Sequence, residues 1–93
     1  MKPLFMMGTK AYAGVSKKID ISRDVPDLCQ VWDETKYYYI GAWEAGFGFM
    51  NVHFPKSTTR PLTNKEVDDF LLKVVEMPNG QCFRYTREQL ENR

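Results

Sequence analysis

The residue types that most often carry catalysis are scarce in this sequence of 93 residues. It contains one histidine, His53, and two cysteines, Cys29 and Cys82. A cysteine within hydrogen-bonding distance of a histidine would form a nucleophile and its base. Alternation along two strand-like runs places Cys29 and His53 on opposite faces of a sheet, so this pair is predicted to point apart. The sequence predicts no catalytic residue and a protein that is not an enzyme; an enzyme using Cys82 or His53 is the minor alternative.

Metal and phosphate sites also lack their usual spacings. Two separated cysteines and one histidine do not form the close pairs that bind structural zinc, so neither a metal nor a cofactor is expected. The glycines at 41, 46 and 48 fall within predicted hairpins rather than between a strand and a helix. They are interpreted as turn and packing residues, with Gly41 leaving space for a cross-strand aromatic side chain.

Aromatic residues make up 14% of the chain and concentrate in its centre. Period-2 alternation predicts a core face formed by Cys29, Val31, Tyr38, Ile40, Ala42, Met50, Val52 and Phe54. The opposite face then receives Trp32, Tyr37, Tyr39, Trp43, Phe47 and Phe49, followed by Asn51 and His53. A face this aromatic needs either a ligand or a covering element, and the sequence leaves both interpretations open.

The elements that must position these residues are three strand-like runs, 28–33, 37–43 and 47–54, separated by compact polar or glycine-containing breaks. This spacing predicts a β-meander. Ahead of it, Phe5, Met7 and Tyr12 indicate one short strand. Behind it, residues 81–85 predict a last strand.

One amphipathic helix is expected at about 64–76. Thr63 and Glu66 have the spacing of a capping box, which predicts a helix that starts at Asn64. Its apolar residues recur at i, i+3, i+4 and i+7 and form one stripe facing the sheet: Val67, Phe70, Leu71 and Val74. Thr86 and Gln89 repeat the capping pattern over a short terminal turn.

The sequence thus predicts an α+β fold: a curved antiparallel sheet of four or five strands with one helix packed on it. Residues 1–93 are expected to form a single domain. With 43% hydrophobic residues, the chain has enough apolar surface for a core without a disulfide or metal. The lack of a signal peptide and of a membrane-length apolar run favours a cytoplasmic location with reduced thiols.

The formal charge of +1 argues against the basic excess that supplies most non-specific affinity for nucleic acids. The charge is unevenly placed, however. Residues 2–23 carry five basic groups and one acid, whereas residues 24–48 carry five acids and one lysine. Such an asymmetry can orient a protein partner, although solvated charges that keep a small protein soluble are the simpler explanation.

Residues 29–43, followed by residues 50–54, resemble the opening strands of Tudor-type and other SH3-like barrels. The features that carry the resemblance are the strand Cys29-Gln30-Val31-Trp32, a short acidic turn, a Tyr-Tyr strand and a third strand ending in Phe. The resemblance implies an aromatic groove near Trp32, Tyr39 and Phe49 that accepts methylated side chains, proline-rich peptides or nucleic-acid backbone. The sequence lacks the Asp-Tyr-Gly loop of that family, and its helix at 64–76 is not part of a minimal barrel.

The function predicted from the sequence is a non-enzymatic protein-binding module or small inhibitor, of the size of accessory proteins such as those of bacteriophages. Its predicted binding residues are Trp32, Tyr37, Tyr39, Trp43 and Phe49. The alternative is a nucleic-acid-binding SH3-like domain that stacks bases on these aromatics and contacts phosphates through Lys56, Arg60, Lys17 and Lys18. A sheet edge at residues 9–15 would allow a homodimer by strand pairing; otherwise the protein is expected to be a monomer.

Overall fold

The structure is a computed structural model that describes residues 5–19, 26–43, 51–76 and 85–91. Its core is a curled antiparallel sheet with the strand order β3-β2-β6-β5-β4-β1-β7. The strands are β1 (Phe5–Gly8), β2 (Ala11–Tyr12), β3 (Lys18–Ile19), β4 (Asp27–Glu34), β5 (Tyr38–Trp43), β6 (Val52–Pro55) and β7 (Thr59–Arg60). A single 3₁₀ turn, η1 (Lys56–Thr58), joins β6 to β7, and the helices are α1 (Asn64–Glu76) and α2 (Arg87–Glu91).

The predicted α+β class and the central meander are confirmed, because β4, β5 and β6 are neighbours in the sheet. Within the described residues the sheet has seven strands rather than four or five. The sequence did not indicate β2, β3 and β7 separately, because each contributes only two residues and gives too little pattern to detect. The single N-terminal strand expected from the sequence is two strands, β1 and β2. The sequence analysis expected a sheet edge at residues 9–15. Residues 11 and 12 do not form an edge, because β2 lies between β3 and β6.

The sheet encloses one hydrophobic cluster on its concave face, which we call the inner core. It consists of Met6, Ala11, Cys29, Val31, Val52 and Phe54. Met6 in β1 and Ala11 in β2 are separated by three strands in the sheet order, yet they belong to the same cluster. The sheet must therefore curl to bring its two sides together. The thiol of Cys29 is fully buried, as expected for a small hydrophobic side chain.

A second cluster on the other face packs the helices against β1 and β4. It consists of Phe5, Met7, Leu28, Leu62, Val67 and Leu90. The predicted stripe of α1 faces this cluster, with Val67 fully buried and Phe70 and Leu71 packed at its margin. The predicted capping box also forms: the Glu66 N–H donates to Thr63 Oγ1 at 3.2 Å, and the Thr63 N–H donates to Glu66 Oε1 at 2.8 Å.

The second predicted capping pattern is confirmed at the start of α2. The Gln89 N–H donates to Thr86 Oγ1 at 3.1 Å, and the Thr86 N–H donates to Gln89 Oε1 at 2.9 Å. Arg87 of α2 forms an ion pair with Asp68 of α1, which links the two helices. The predicted strand at 81–85 falls outside the described residues except for Tyr85, as does Cys82.

The predicted division of the meander into a core face and an aromatic face is wrong for β5. Cys29 pairs with Trp43 and Phe54 pairs with Tyr39, so these two aromatics share the concave face with the inner core. Tyr38, Ile40 and Ala42 lie on the other face. The physical reason is that β5 is apolar on both sides, so its own pattern does not say which side matches its neighbours; only the register does.

The role predicted for Gly41 is also wrong. A Cβ atom at this position would lie 1.7 Å from the carbonyl oxygen of Gln30 and 2.9 Å from the Cα of Val31. The space next to Gly41 is filled by the backbone of β4, not by an aromatic side chain. The register between β4 and β5 shifts between Val31 and Asp33, so the close approach adjoins a β-bulge. Among the described residues, no helix is long and apolar enough to cross a membrane.

Candidate functional site

The tip of the β4–β5 hairpin is the most exposed aromatic surface in the described part of the chain. Six consecutive residues, 32–37, are all exposed, and we call this segment the aromatic hairpin. Trp32 is 38% exposed and Tyr37 is 65% exposed. Trp32 occupies the β-bulge, since Val31 pairs with Gly41 and Asp33 pairs with Ile40. A bulge redirects a side chain relative to the regular alternation of a strand, which places Trp32 at the surface.

The turn of the aromatic hairpin is closed by the side chain of Thr35. The Thr35 N–H donates to the carbonyl oxygen of Tyr38 at 2.7 Å, and the Tyr38 N–H donates to Thr35 Oγ1 at 3.1 Å. The Glu34 N–H donates to Asp33 Oδ1 at 2.8 Å. Neither Lys36 nor Tyr37 has a positive φ, so the turn is not of the primed type most common in tight hairpins. The Tyr38 N–H therefore donates to the hydroxyl oxygen of Thr35 rather than to a backbone carbonyl oxygen.

Lys56 of η1 holds the base of the aromatic hairpin in three ways. Its N–H donates to the carbonyl oxygen of Tyr37 at 2.9 Å. Its ammonium lies 5.1 Å from the centre of the Tyr39 ring and 3.4 Å from Glu34 Oε2. These contacts join β4, β5 and η1, so the predicted binding residues Tyr37, Tyr39 and Lys56 do come together. On the other side of the turn, the Lys36 ammonium lies 5.2 Å from the centre of the Tyr37 ring.

Trp43 does not belong to this surface. It lies at the far end of β5, half-buried against the inner core, and its indole interacts with the carboxylate of Asp27. Burial raises the pKa of Asp27, and nearby Lys73 together with this contact from Trp43 partly opposes the rise. The indole therefore packs on the inner core, next to the carboxylate of Asp27. Phe49, the remaining predicted aromatic, lies outside the described residues.

Arg60 is placed at a different part of the molecule, on the edge strand β7. Its two guanidinium nitrogens donate to the two carboxylate oxygens of Glu66 at 2.7 and 2.8 Å, and Nη1 also donates to the carbonyl oxygen of Pro61. The hydrogen bonds from Arg60 lower the pKa of Glu66 to about 2, with a smaller contribution from Thr63. Arg60 thus joins β7 to the first turn of α1.

The depressed pKa of Glu66 predicts that the protein loses stability in acid. Because the folded-state pKa of Glu66 is depressed, its contribution is fully present above the ordinary glutamate pKa and is lost as the pH falls towards 2. At neutral pH we expect Glu66→Gln to lower the free energy of unfolding by about 1–2 kcal/mol, a value discounted for the exposed guanidinium. The difference should vanish near pH 2. Thermal unfolding across this pH range measures it.

The matched control is Glu88→Gln, which changes an exposed carboxylate in the first turn of α2. Among the described residues Glu88 forms no ion pair, so its removal should not alter the acid limb of the stability curve. Equal behaviour of the two variants would show that the Arg60 pair contributes nothing to acid stability.

A second surface was missed by the sequence analysis because its residues come from distant parts of the chain. Tyr12 on β2, His53 on β6 and Tyr38 on β5 form a row on one face of three neighbouring strands. The ring centres of Tyr12 and Tyr38 are 6.5 Å apart, and those of Tyr38 and His53 are 5.8 Å apart. His53 lies on the face opposite Cys29, as predicted. Its Nδ1 atom is buried and has no hydrogen-bond partner within the described ranges.

Within the described residues, no group of three or more histidine, cysteine, aspartate or glutamate side chains could hold a metal ion. The resemblance to Tudor-type barrels falls on β4, β5 and β6, and it stays a prediction. Comparison with protein-family models, curated proteins and solved structures finds no match to this chain.

Proposed function

We propose that this chain is a non-enzymatic protein-binding module or small inhibitor that contacts its target through the aromatic hairpin. The observation that carries the proposal is the exposure of two large aromatic side chains, Trp32 and Tyr37, on the aromatic hairpin. Tryptophan and tyrosine are the residues that most often dominate the energy of protein interfaces, because they bury a large area with few rotatable bonds.

The rigidity of the aromatic hairpin supports this function. Thr35 closes the turn, and Lys56 ties the carbonyl oxygen of Tyr37, the ring of Tyr39 and the carboxylate of Glu34 to η1. A surface that is already ordered loses less conformational entropy on binding than a mobile loop does. The aromatic side chains are therefore presented in a conformation that a target could accept with little rearrangement.

The charges around the aromatic side chains suit the rim of an interface. Lys36 and Lys56 lie over the rings of Tyr37 and Tyr39, and the carboxylates of Asp33 and Glu34 occupy the adjacent strand. Acidic and basic groups of one small area can pair with complementary charges on a protein partner. Protein interfaces typically combine aromatic centres with such polar margins.

The test is capture of a partner by the tagged protein from its own cell lysate, with nuclease present, followed by affinity measurement with the purified partner. We expect Trp32→Ala/Tyr37→Ala to weaken binding by at least about 2 kcal/mol, roughly 30-fold, because interface aromatics commonly contribute this much each. Both residues are exposed, so the fold should remain intact.

The matched control removes two exposed apolar side chains from elsewhere. Leu72 and Val75 on α1 are 59% and 80% exposed. Leu72→Ala/Val75→Ala should bind the partner as the wild type does. If the hairpin variant keeps full affinity, or if both double variants lose it equally, the aromatic hairpin is not the binding surface.

A further inference from the structure

The hairpin formed by β2 and β3 carries three lysines and no acidic residue. Lys10, Lys17 and Lys18 are exposed, and residues 5–19 contain neither aspartate nor glutamate. Pairing of Ala11 with Ile19 folds the segment back on itself, so all three lysines lie on one short ribbon, which we call the basic hairpin. None of the three forms an ion pair with any described residue, so their charges are not neutralised within this part of the chain.

The row formed by Tyr12, Tyr38 and His53 begins on this same ribbon. Lys18 pairs with Tyr12 across β2 and β3, and Tyr12 pairs with His53 across β2 and β6. Residues directly opposite each other in paired strands share a sheet face. One face therefore presents Lys18, Tyr12 and His53 side by side, and the ring of Tyr38 on β5 contacts the rings of Tyr12 and His53. The three ring-bearing side chains are half-buried, which leaves part of each accessible.

We propose that this face binds single-stranded nucleic acid, with the lysines of the basic hairpin contacting phosphates and bases stacking on the tyrosines. Single-strand binding proteins combine a positively charged path for the backbone with aromatic side chains that accept any base. The basic hairpin and its neighbouring rings supply both components at one side of the sheet. This site is separate from the aromatic hairpin and does not depend on the protein-binding function.

Lys56 and Arg60 were also expected from the sequence to contact phosphates, but each forms an ion pair with a glutamate. Lys56 pairs with Glu34, and Arg60 pairs with both oxygens of Glu66. Phosphate contacts would have to break these ion pairs, whereas Lys10, Lys17 and Lys18 form no ion pair with residues in the ranges that the structure describes. With a total charge of +1 the chain has little long-range attraction for nucleic acids, so the proposed binding depends on the local charge of residues 5–19, which carry three lysines and no acidic residue.

An acidic protein segment would satisfy the lysines but not the rings. Carboxylate side chains have no aromatic ring to stack against Tyr12 and Tyr38, while a nucleic-acid strand supplies a phosphate and an aromatic base at each step. The juxtaposition of three exposed lysines with adjacent tyrosines therefore favours a nucleic-acid strand over an acidic peptide.

The experiment titrates the full chain into fluorescein-labelled oligothymidylate and oligouridylate and follows anisotropy over a series of salt concentrations. Each phosphate contact on a single strand contributes about 0.7 to the slope of log affinity against log salt, so three lysine contacts predict a slope of about −2. Lys17→Ala/Lys18→Ala should reduce the slope to about −0.7 and weaken binding at low salt. These exposed positions leave the fold unchanged, which circular dichroism can verify.

Tyr12 provides an independent test of stacking. Tyr12→Ala should lower affinity by about 5- to 100-fold, the range found for loss of one base–aromatic stack, while Tyr12→Phe should retain the wild-type affinity. Lys65→Ala on α1 is the charge-matched control and should bind as the wild type does. Trp32→Ala/Tyr37→Ala should also keep full affinity for the oligonucleotides, because the aromatic hairpin is a different surface.

Three results would overturn the proposal. The first is wild-type affinity and salt slope in Lys17→Ala/Lys18→Ala. The second is equal affinity of Tyr12→Ala and Tyr12→Phe, both shown to be folded. The third is a labelled oligoglutamate peptide that binds as tightly as the oligonucleotides, which would assign the basic hairpin to an acidic protein partner.

Discussion

Replacement of Gly41 by alanine should leave most of the protein unfolded at room temperature. The added Cβ would meet the backbone of Gln30 at 1.7 Å from its carbonyl oxygen, a distance that no side-chain rotation can relieve. Either β4 and β5 separate or the bulge at Trp32 is rearranged. We expect a loss of more than about 4 kcal/mol, which is most of the stability of a typical domain. Far-UV circular dichroism and thermal unfolding provide the measurement.

Gly14 supplies the control for this substitution. It lies in the turn between β2 and β3, and a Cβ placed there has no atom within 4 Å. Gly14→Ala should change the free energy of unfolding by no more than about 0.5 kcal/mol. If Gly41→Ala unfolded at the same temperature as Gly14→Ala, the close approach of β4 and β5 would be wrong, and with it the position of the bulge that exposes Trp32.

Phe54→Ala should lower the free energy of unfolding by about 3–5 kcal/mol, the usual cost of removing a buried phenylalanine. Phe54 is fully buried, and its ring lies in the inner core between the two sides of the curled sheet. The other members of the inner core come from β1, β2 and β4 as well as from its own strand, so they cannot all move inwards to fill the cavity. Chemical denaturation of the wild type and the variant measures the difference.

Leu72→Ala is the control for Phe54→Ala, since it also removes a large apolar side chain. Leu72 is 59% exposed on α1, so its loss should cost less than about 0.5 kcal/mol. A Phe54→Ala variant that lost no more stability than Leu72→Ala would show that the sheet does not curl around this side chain.

The helix α1 could be predicted almost completely from the sequence. Its start depends on Thr63 and Glu66, and its packing face depends on the spacing of Val67 from the apolar residues one and two turns later. These signals act over a few residues, so a local pattern contains all the information that is needed. The meander was predictable for the same reason, because each of its strands has its own apolar run and its own turn.

The candidate binding surface was predictable only in part. Trp32, Tyr37 and Tyr39 lie at or beside the β4–β5 turn, and a turn between two strand patterns can be recognised locally. That Trp32 points outward depends on the bulge, and that Lys56 joins the aromatic hairpin depends on the path of the chain after β6. Neither the bulge nor this path has a signature within a short stretch of residues.

The α+β class, both helix caps and the burial of Cys29 follow from the chemistry of neighbouring residues and were predictable from the sequence. The division of the aromatic residues between core and surface depends on how the strands pair. Trp43 and Tyr39 pack on the inner core, whereas Tyr38 joins Tyr12 and His53 on the other face. The physical reason is that strand register is a relation between separate segments, and a strand that is apolar on both sides fits its neighbours in either orientation until they are all in place.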